Sequence, residues 1–376
     1  MKVFIQSIFG QLILTPYIFW RGYQAIPARK SWRIPYITFF ILELILFFTG
    51  YFFRKELPDD IMIPIMHVCN TWYISSLYIT MALLLLEVIR LSNRFYPWYP
   101  AFIIKHWQRT KLLLFFGIIA GVTLLMIHAY RTVAYPTVKH VYITLPKGDS
   151  GRDSLKLAMM SDLHIGEVIG KKMVQRYVSL CNAQQPDIVV LVGDIIDYES
   201  RHAEKAFVEE DLKQLQAPLG TYLVNGNHEY RANRHAKFRW FQKTGATLLV
   251  DSVVMPDSSF YLIGRDDRVN KRRKPLQTIM KDVHENKPVI VLDHQPLSFA
   301  EMVMNKVDLG LHGHTHNGQL WPYPLLMKFV YECPYGYYKK GNTQFYVSSG
   351  IGVAGPPYRI GTSSELIIFH ITFEAS

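Results

Sequence analysis

Five polar clusters in this chain each follow an apolar run, and each carries side chains whose lone pairs suit a cation. They are Asp162 with His164, Asp194, Asn227 with His228, His294, and His314 with His316. Carboxylate, imidazole and amide together make a mixed oxygen and nitrogen donor set for divalent metals, and a carboxylate using both oxygens can bridge two ions. Asp194 is placed to be that bridge. The run from Ile188 to Val192 is β-branched and aliphatic, reads as a strand buried on both faces, and delivers Gly193 and Asp194 to its carboxyl end. Open α/β sheets hold their ligands there.

The elements that must position these residues follow from the pattern around them. Leu155 to Met160 reads as a strand leading into Asp162. Residues 166–184 carry helical periodicity through Val174, Tyr177, Val178 and Cys181, and Pro186 closes the helix before the strand to Asp194. That is a βαβ crossover, so the two strands pair in parallel and bring Asp162 and Asp194 to one sheet edge. Strands are also expected at 220–224, before Asn227, at 288–292, before His294, and at 307–311, before Gly313-His314-Thr315-His316. Gly313 is expected to supply the tight bend of that turn. Residues 248–254, 260–264, 345–348 and 366–373 complete the strands.

Taken in order, Ser161-Asp162-Leu163-His164, Gly193-Asp194, Gly226-Asn227-His228-Glu229, His294 and Gly313-His314-Thr315-His316 resemble the motif set of calcineurin-like metallophosphoesterases, over about Leu155 to Phe373. The Gly313 to Gln319 run and the Gly355-Pro356-Pro357 loop resemble the membrane-anchored and exported bacterial members of the YkuE and YaeI type. The resemblance implies an αββα sandwich of two mixed sheets and two divalent ions, whether manganese, iron, zinc or magnesium. One would use Asp162, His164, Asp194 and His316, the other Asp194, Asn227, His294 and His314. A water between them would become hydroxide-like and attack a phosphomonoester, phosphodiester or pyrophosphate. His228 would face the substrate, stabilising developing charge or protonating the leaving oxygen.

Other polar residues leave alternatives. Asp197 either orients a ligand or, the reading favoured here, caps a helix. Glu229 is a salt-bridge partner or solvated. Arg359 is a substrate-binding candidate that either pairs with phosphate or braces its loop. Trp321 to Tyr338, rich in aromatics and followed by Lys339 and Lys340, either packs behind the histidine turn or forms a lip on a bilayer interface.

Residues 1–130 differ in kind from the rest. Apolar runs at 5–20, 36–53, 61–91 and 112–130 are expected to be four spanning helices, each matched to a hydrocarbon core of ~30 Å. Residues 131–154, with Pro136 and Pro146, are expected to be an extended linker, and 155–376 the α/β domain. The whole is a multi-span α-helical membrane module followed by an enzyme. The net charge of +11 does not signal nucleic acid, because twelve Lys and Arg against five Asp and Glu lie in the first 130 residues, flanking the apolar runs. The basic run 265–274 in the remainder reads as a solvated loop.

Basic residues concentrate between the first and second runs and between the third and fourth, whereas Arg54 and Lys55 are mixed with Glu56, Asp59 and Asp60. The positive-inside rule then places the α/β domain of this multi-pass cell-membrane protein on the extracytoplasmic side. Whether Cys181 and Cys333 pair in an exported domain is left open by their positions. The partners expected are the bilayer and a phosphorylated, amphiphilic, lipid-linked substrate, a UDP-diacylglucosamine-like molecule being one form. A soluble nucleotide-like ester is the alternative, and a non-catalytic metal-binding sensor the rival from another class.

Overall fold

The computed structural model describes residues 2–53, 56–284 and 286–375, and the chain divides into two compact units, Met1–His128 and Ala129–Ser376. The first unit is helical: α1 (Lys2–Ala25), α2 (Lys30–Phe52), α3 (Asp59–Phe95), the short α4 (Ala101–Lys105) and most of α5 (Trp107–Ala134). Helices α2, α3 and α5, of 23, 37 and 28 residues, are long and apolar enough to cross a membrane. At ~1.5 Å per residue each exceeds a ~30 Å core. Their apolar side chains are mostly exposed, as suits lipid as the surrounding solvent.

Residues 5–20, the first of the expected spans, lie within the 24-residue helix α1. The Gln11 and Thr15 side chains of that helix make internal bonds. The Gln11 amide donates to the buried Glu43 carboxylate of α2, and the Trp72 indole donates to Thr15 Oγ1 at 3.2 Å. Arg54 and Lys55, which enter the charge argument above, lie outside the described residues.

The second unit is built on two six-stranded sheets. The first runs β1 (Thr137–Pro146), β12 (Glu365–Glu374), β2 (Ser154–Met160), β3 (Ile188–Val192), β4 (Thr221–Val224) and β5 (Thr247–Leu249). The second runs β10 (Gly336–Lys340), β11 (Thr343–Val347), β9 (Leu309–His312), β8 (Val289–Leu292), β7 (Tyr261–Gly264) and β6 (Ser252–Val254). Both are mixed: β2, β3, β4 and β5 are parallel, as are β7, β8, β9 and β11, while β12 runs antiparallel to β2.

Strand alternation explains the layers. Leu155, Leu157 and Met159 enter the core between the sheets with Val190, Val192, Leu292 and Phe369, whereas Ala158 and Met160 face an outer layer with Tyr177, Val178 and Cys181 of α6 (Lys171–Asn182). A third cluster, around Phe299, Met302 and Cys333, covers the other sheet. This is the αββα arrangement. Cys181 and Cys333 lie in separate clusters and are free thiols.

Two boundaries differ from the sequence reading. The expected linker is not one: α5 continues to Ala134, and 137–146 forms β1, paired in parallel with β12 along its whole length. Ile143 and Leu145 are buried against the sheet core, which the prolines at its ends concealed. Likewise 248–254 is two strands in different sheets, separated at Asp251, whose φ is 48°. Leu157, fully buried between the sheets, should report the stability of this scaffold: Leu157→Ala is expected to cost about 2–5 kcal/mol, read as a lower denaturant midpoint of domain tryptophan fluorescence.

Candidate metal centre

The carboxyl ends of β2, β3 and β4 meet those of β8 and β9, so residues far apart in sequence converge there. Asp162 and His164 follow β2, Asp194 follows β3, Asn227 follows β4, His294 follows β8, and His314 and His316 follow β9. Three groups of ligand atoms lie within 4.8 Å of one another: Asp162, His164 and His316; His164, Asp194 and His228; Asp194, His294 and His314. Asp194 belongs to two of them.

The separations suit ligands around common ions. Asp194 Oδ2 lies 3.2 Å from His294 Nε2 and 3.7 Å from His164 Nε2, Asp162 Oδ1 lies 3.4 Å from His316 Nε2, and the Nε2 atoms of His164 and His316 are 3.1 Å apart. Metal–ligand bonds of about 2.0–2.2 Å imply neighbouring ligands roughly 3.0–3.5 Å apart, so these contacts fit. The His294 tautomer fits as well. Its Nδ1 lies 2.8 Å from the Val192 carbonyl, an acceptor, so Nδ1 carries the proton and Nε2 turns a lone pair inward. That Nε2 and Asn227 Oδ1 are buried without a hydrogen-bond partner. Uncompensated polar atoms in a closed site are costly, and a cation would satisfy them.

Crowding these groups together requires unusual backbone. Asp162, His164, Asp194, His314 and His316 all have positive φ, from 49° to 74°, a region that costs ~1–2 kcal/mol for an L-residue. Interlocking backbone bonds offset this: Asp162 N–H donates to Gly193 O and His164 N–H to Asp194 O, both at 3.0 Å. Gly313 has another role than the expected one. The left-handed turns are made by the histidines, while a Cβ at Gly313 would collide with the Asp162 carboxylate and Ser161. Gly226 is similarly pressed against Asp194.

His228 lies beside the cluster, its ring edge-on to His164 with centroids 4.5 Å apart. Its Nδ1 faces two acceptors of one residue, Asp197 O at 2.8 Å and Asp197 Oδ1 at 2.9 Å, and therefore carries a proton. Its Nε2 points at the centre, 4.0 Å from Asp194 Oδ2. Asp197 is thus not a helix cap. No helix begins there, and its carboxylate serves His228 and, at 3.4 Å, His164 Nδ1. Burial would raise the Asp197 carboxyl, but the hydrogen bonds from the two imidazoles outweigh it and hold the group well below the ordinary carboxylate range.

Glu229 is the residue the motifs pointed past. Fully buried, it accepts the backbone N–H groups of Asp194, Ile195, Ile196 and Gly226 at 2.7–3.1 Å. Burial raises its carboxyl and lowers the nearby Lys237 ammonium, each moderated by the other's charge. Lys237, on α9 (Arg234–Phe241), donates to the His228 carbonyl at 2.6 Å. Adjacency to Asn227 and His228 was the only sequence signal for Glu229, and Lys237 had none.

Arg359 braces rather than receives. It is fully buried, its guanidinium donating to the carbonyls of His316, Ser349, Gly350 and Gly352, and burial pushes it down to about 10. Every bond its terminal nitrogens make to a carbonyl is to the backbone of this site and the Nε–H is buried, so the loop-bracing reading is the one the geometry supports. The basic run 265–274 is only in part a solvated loop: Arg268, Lys271, Arg272 and Lys274 are exposed, but Arg265 is buried, and the half-buried Arg273 pairs with Asp293 beside His294.

The geometry defines a buried multi-ligand site at the sheet edges of an α/β sandwich. The calcineurin-like phosphoesterase family matches residues 155–318, which hold every candidate ligand. An uncharacterized metallophosphoesterase from Helicobacter pylori is 34% identical over 63% of this chain and 64% of its own length. One from Campylobacter jejuni is 31% identical over 68% of each chain. A transmembrane protein with a metallophosphoesterase domain from Danio rerio is 32% identical over 61% of this chain and 56% of its own. The chain thus spans less than two thirds of the length of the first and third of these curated relatives. It belongs to the calcineurin-like phosphoesterase family.

His228 and the ligand residues should separate experimentally. His228→Ala is expected to retain metal content while losing ~10²–10⁴-fold in rate; metal loss measured by elemental analysis would make it a ligand instead. Glu229→Gln keeps the shape but weakens four backbone bonds, and should lower metal content without substituting any ligand.

Proposed function

We propose that this chain hydrolyses a phosphomonoester, phosphodiester or pyrophosphate of a lipid or lipid-linked molecule at a membrane surface. The observation that carries the hydrolytic reading is the convergence of Asp162, His164, Asp194, His294, His314 and His316 at one sheet edge, with His294 Nε2 and Asn227 Oδ1 buried there without hydrogen-bond partners. Asp162, His164, Asp194 and His316 would hold one divalent ion, and Asp194, Asn227, His294 and His314 a second. When bound, such ions neutralise phosphate charge and make water a competent nucleophile near neutral pH.

The chain's own residues supply the rest. Asp194 would hold both ions together, and Glu229 fixes the Asp194 backbone. His228 would face the substrate through Nε2, stabilising developing charge or protonating the leaving oxygen, while Asp197 holds the ring at Nδ1. Asp197→Asn removes the carboxylate that orients the His228 ring and should slow turnover with metal content retained; full turnover in that variant would exclude the positioning role.

Two observations support a membrane-borne substrate. Three helices are apolar and long enough to span a bilayer, and the last of them runs on into the catalytic unit: the Ala129 carbonyl accepts the Arg359 N–H at 3.2 Å, and Arg359 braces His316. A metal-reconstituted assay of the full chain should turn over lipid phosphoesters better than soluble nucleotide-like esters. The reverse preference would reassign the substrate.

Lys and Arg crowd residues 21–33 and 90–111, so the positive-inside rule favours an extracytoplasmic catalytic unit. The three native cysteines are buried, and Tyr142 is 75% exposed on β1. Tyr142→Cys should therefore label with an impermeant thiol reagent in intact cells; labelling only after lysis would reverse the topology.

A further inference from the structure

The segment from Leu320 to Pro334 leaves the histidine turn and returns to it. Its start follows the His316–Gly318 turn, where Trp321 N–H donates to Ile360 O at 2.8 Å; at its end the Pro334 carbonyl accepts the Thr315 hydroxyl at 2.6 Å. Between these anchors lies α12 (Tyr323–Val330), which has no buried residue. Trp321, Tyr323, Leu325, Leu326, Phe329 and Val330 are all exposed, Phe329 at 88%. The core-packing reading therefore fails for Trp321 and α12, while Cys333 and Tyr338 further along do join the Phe299 cluster. Water is a poor solvent for so large an apolar surface, and a contiguous exposed patch of this kind marks a contact.

We propose that α12 inserts into the lipid headgroup and acyl boundary and docks the catalytic centre on the bilayer. Charge supports lipid as the occupant: residues 321–331 contain no acid and one base, Lys328; Glu332 follows but is paired with Lys340 at 2.8 Å, and Lys339 on β10 adds an exposed base. Trp and Tyr with aliphatic residues and flanking lysines is the composition of an interfacial helix on anionic lipid. Position supports it too. The final turns of α5, a candidate span, are bonded through Ala129 to Arg359, and Tyr130 packs on Tyr358 with ring centroids 6.5 Å apart. Ile360, the next residue, is the one that accepts the Trp321 N–H. Residues 129–134, the part of α5 within this unit, are thus held by the same 358–360 stretch that holds the start of the apolar segment.

Docking has a consequence for the site. Tyr331, at the end of α12, has its ring 6.3 Å from His314, so an amphiphile entering along α12 reaches the donor cluster directly. This kinetic consequence rests on the membrane-borne substrate reading; the docking itself does not.

The test uses the full chain in anionic proteoliposomes, with a nitroxide at Phe329→Cys and a control at Met304→Cys, which is 75% exposed on α11 (Phe299–Met304). The native cysteines are buried and stay unlabelled. The Phe329 label is expected to collide more with oxygen and less with a water-soluble nickel chelate than the control. Equal chelate accessibility would overturn the proposal, as would shielding from both reagents, which would mean a protein partner or second copy covers α12. Replacing Leu326 and Phe329 with Glu should lower turnover of a vesicle-borne lipid phosphoester at least tenfold and of a soluble chromogenic ester less than twofold; an equal fall would overturn the coupling. A label in the bilayer with no lipid phosphoester hydrolysed would uphold docking and reject the substrate reading.

Discussion

The structure depends on the Glu229 carboxylate accepting four backbone N–H groups inside the sandwich. Those donors belong to the turns after β3 and β4, which carry Asp194 and Asn227. A buried carboxylate is expensive unless its lone pairs are used, and here each bond also fixes a stretch of left-handed or irregular backbone. The same device recurs across the site with opposite charge: the Arg359 guanidinium gathers four carbonyls and holds the turn that carries His316. The donor residues are therefore positioned by two buried charges that themselves touch no substrate.

This division of labour explains what the sequence disclosed. Each ligand follows an apolar strand, so its existence and place at a sheet edge were readable from period and turn chemistry. The roles of Glu229, Asp197, Lys237 and Arg359 were not, because each acts through a residue brought near only by folding: Glu229 through Asp194, 35 positions earlier, and Arg359 through His316, 43 positions earlier. Strand β1 was missed for the same reason. Its partner β12 lies at the far end of the chain, and Pro136 and Pro146 at its borders read locally as a linker.

The membrane part shows the limits of composition in another way. Gln11 and Thr15, inside the apolar run 5–20, turn out to be bonded to neighbouring helices, and residues 321–330 look like core until their exposure is known, whereas Cys333 and Tyr338 do pack. Apolar sequence states that a surface must leave water, whereas only the fold says whether protein is there to receive it. In α12 no described residue is.

The bridging role of Asp194 is the central claim, since it joins the two donor groups into one centre. Asp194→Asn, made in the full chain, should keep its far-ultraviolet circular dichroism while hydrolysis is abolished and bound divalent metal falls from the two equivalents expected of the unmodified protein. Hydrolysis retained with two equivalents of metal still bound would contradict the account.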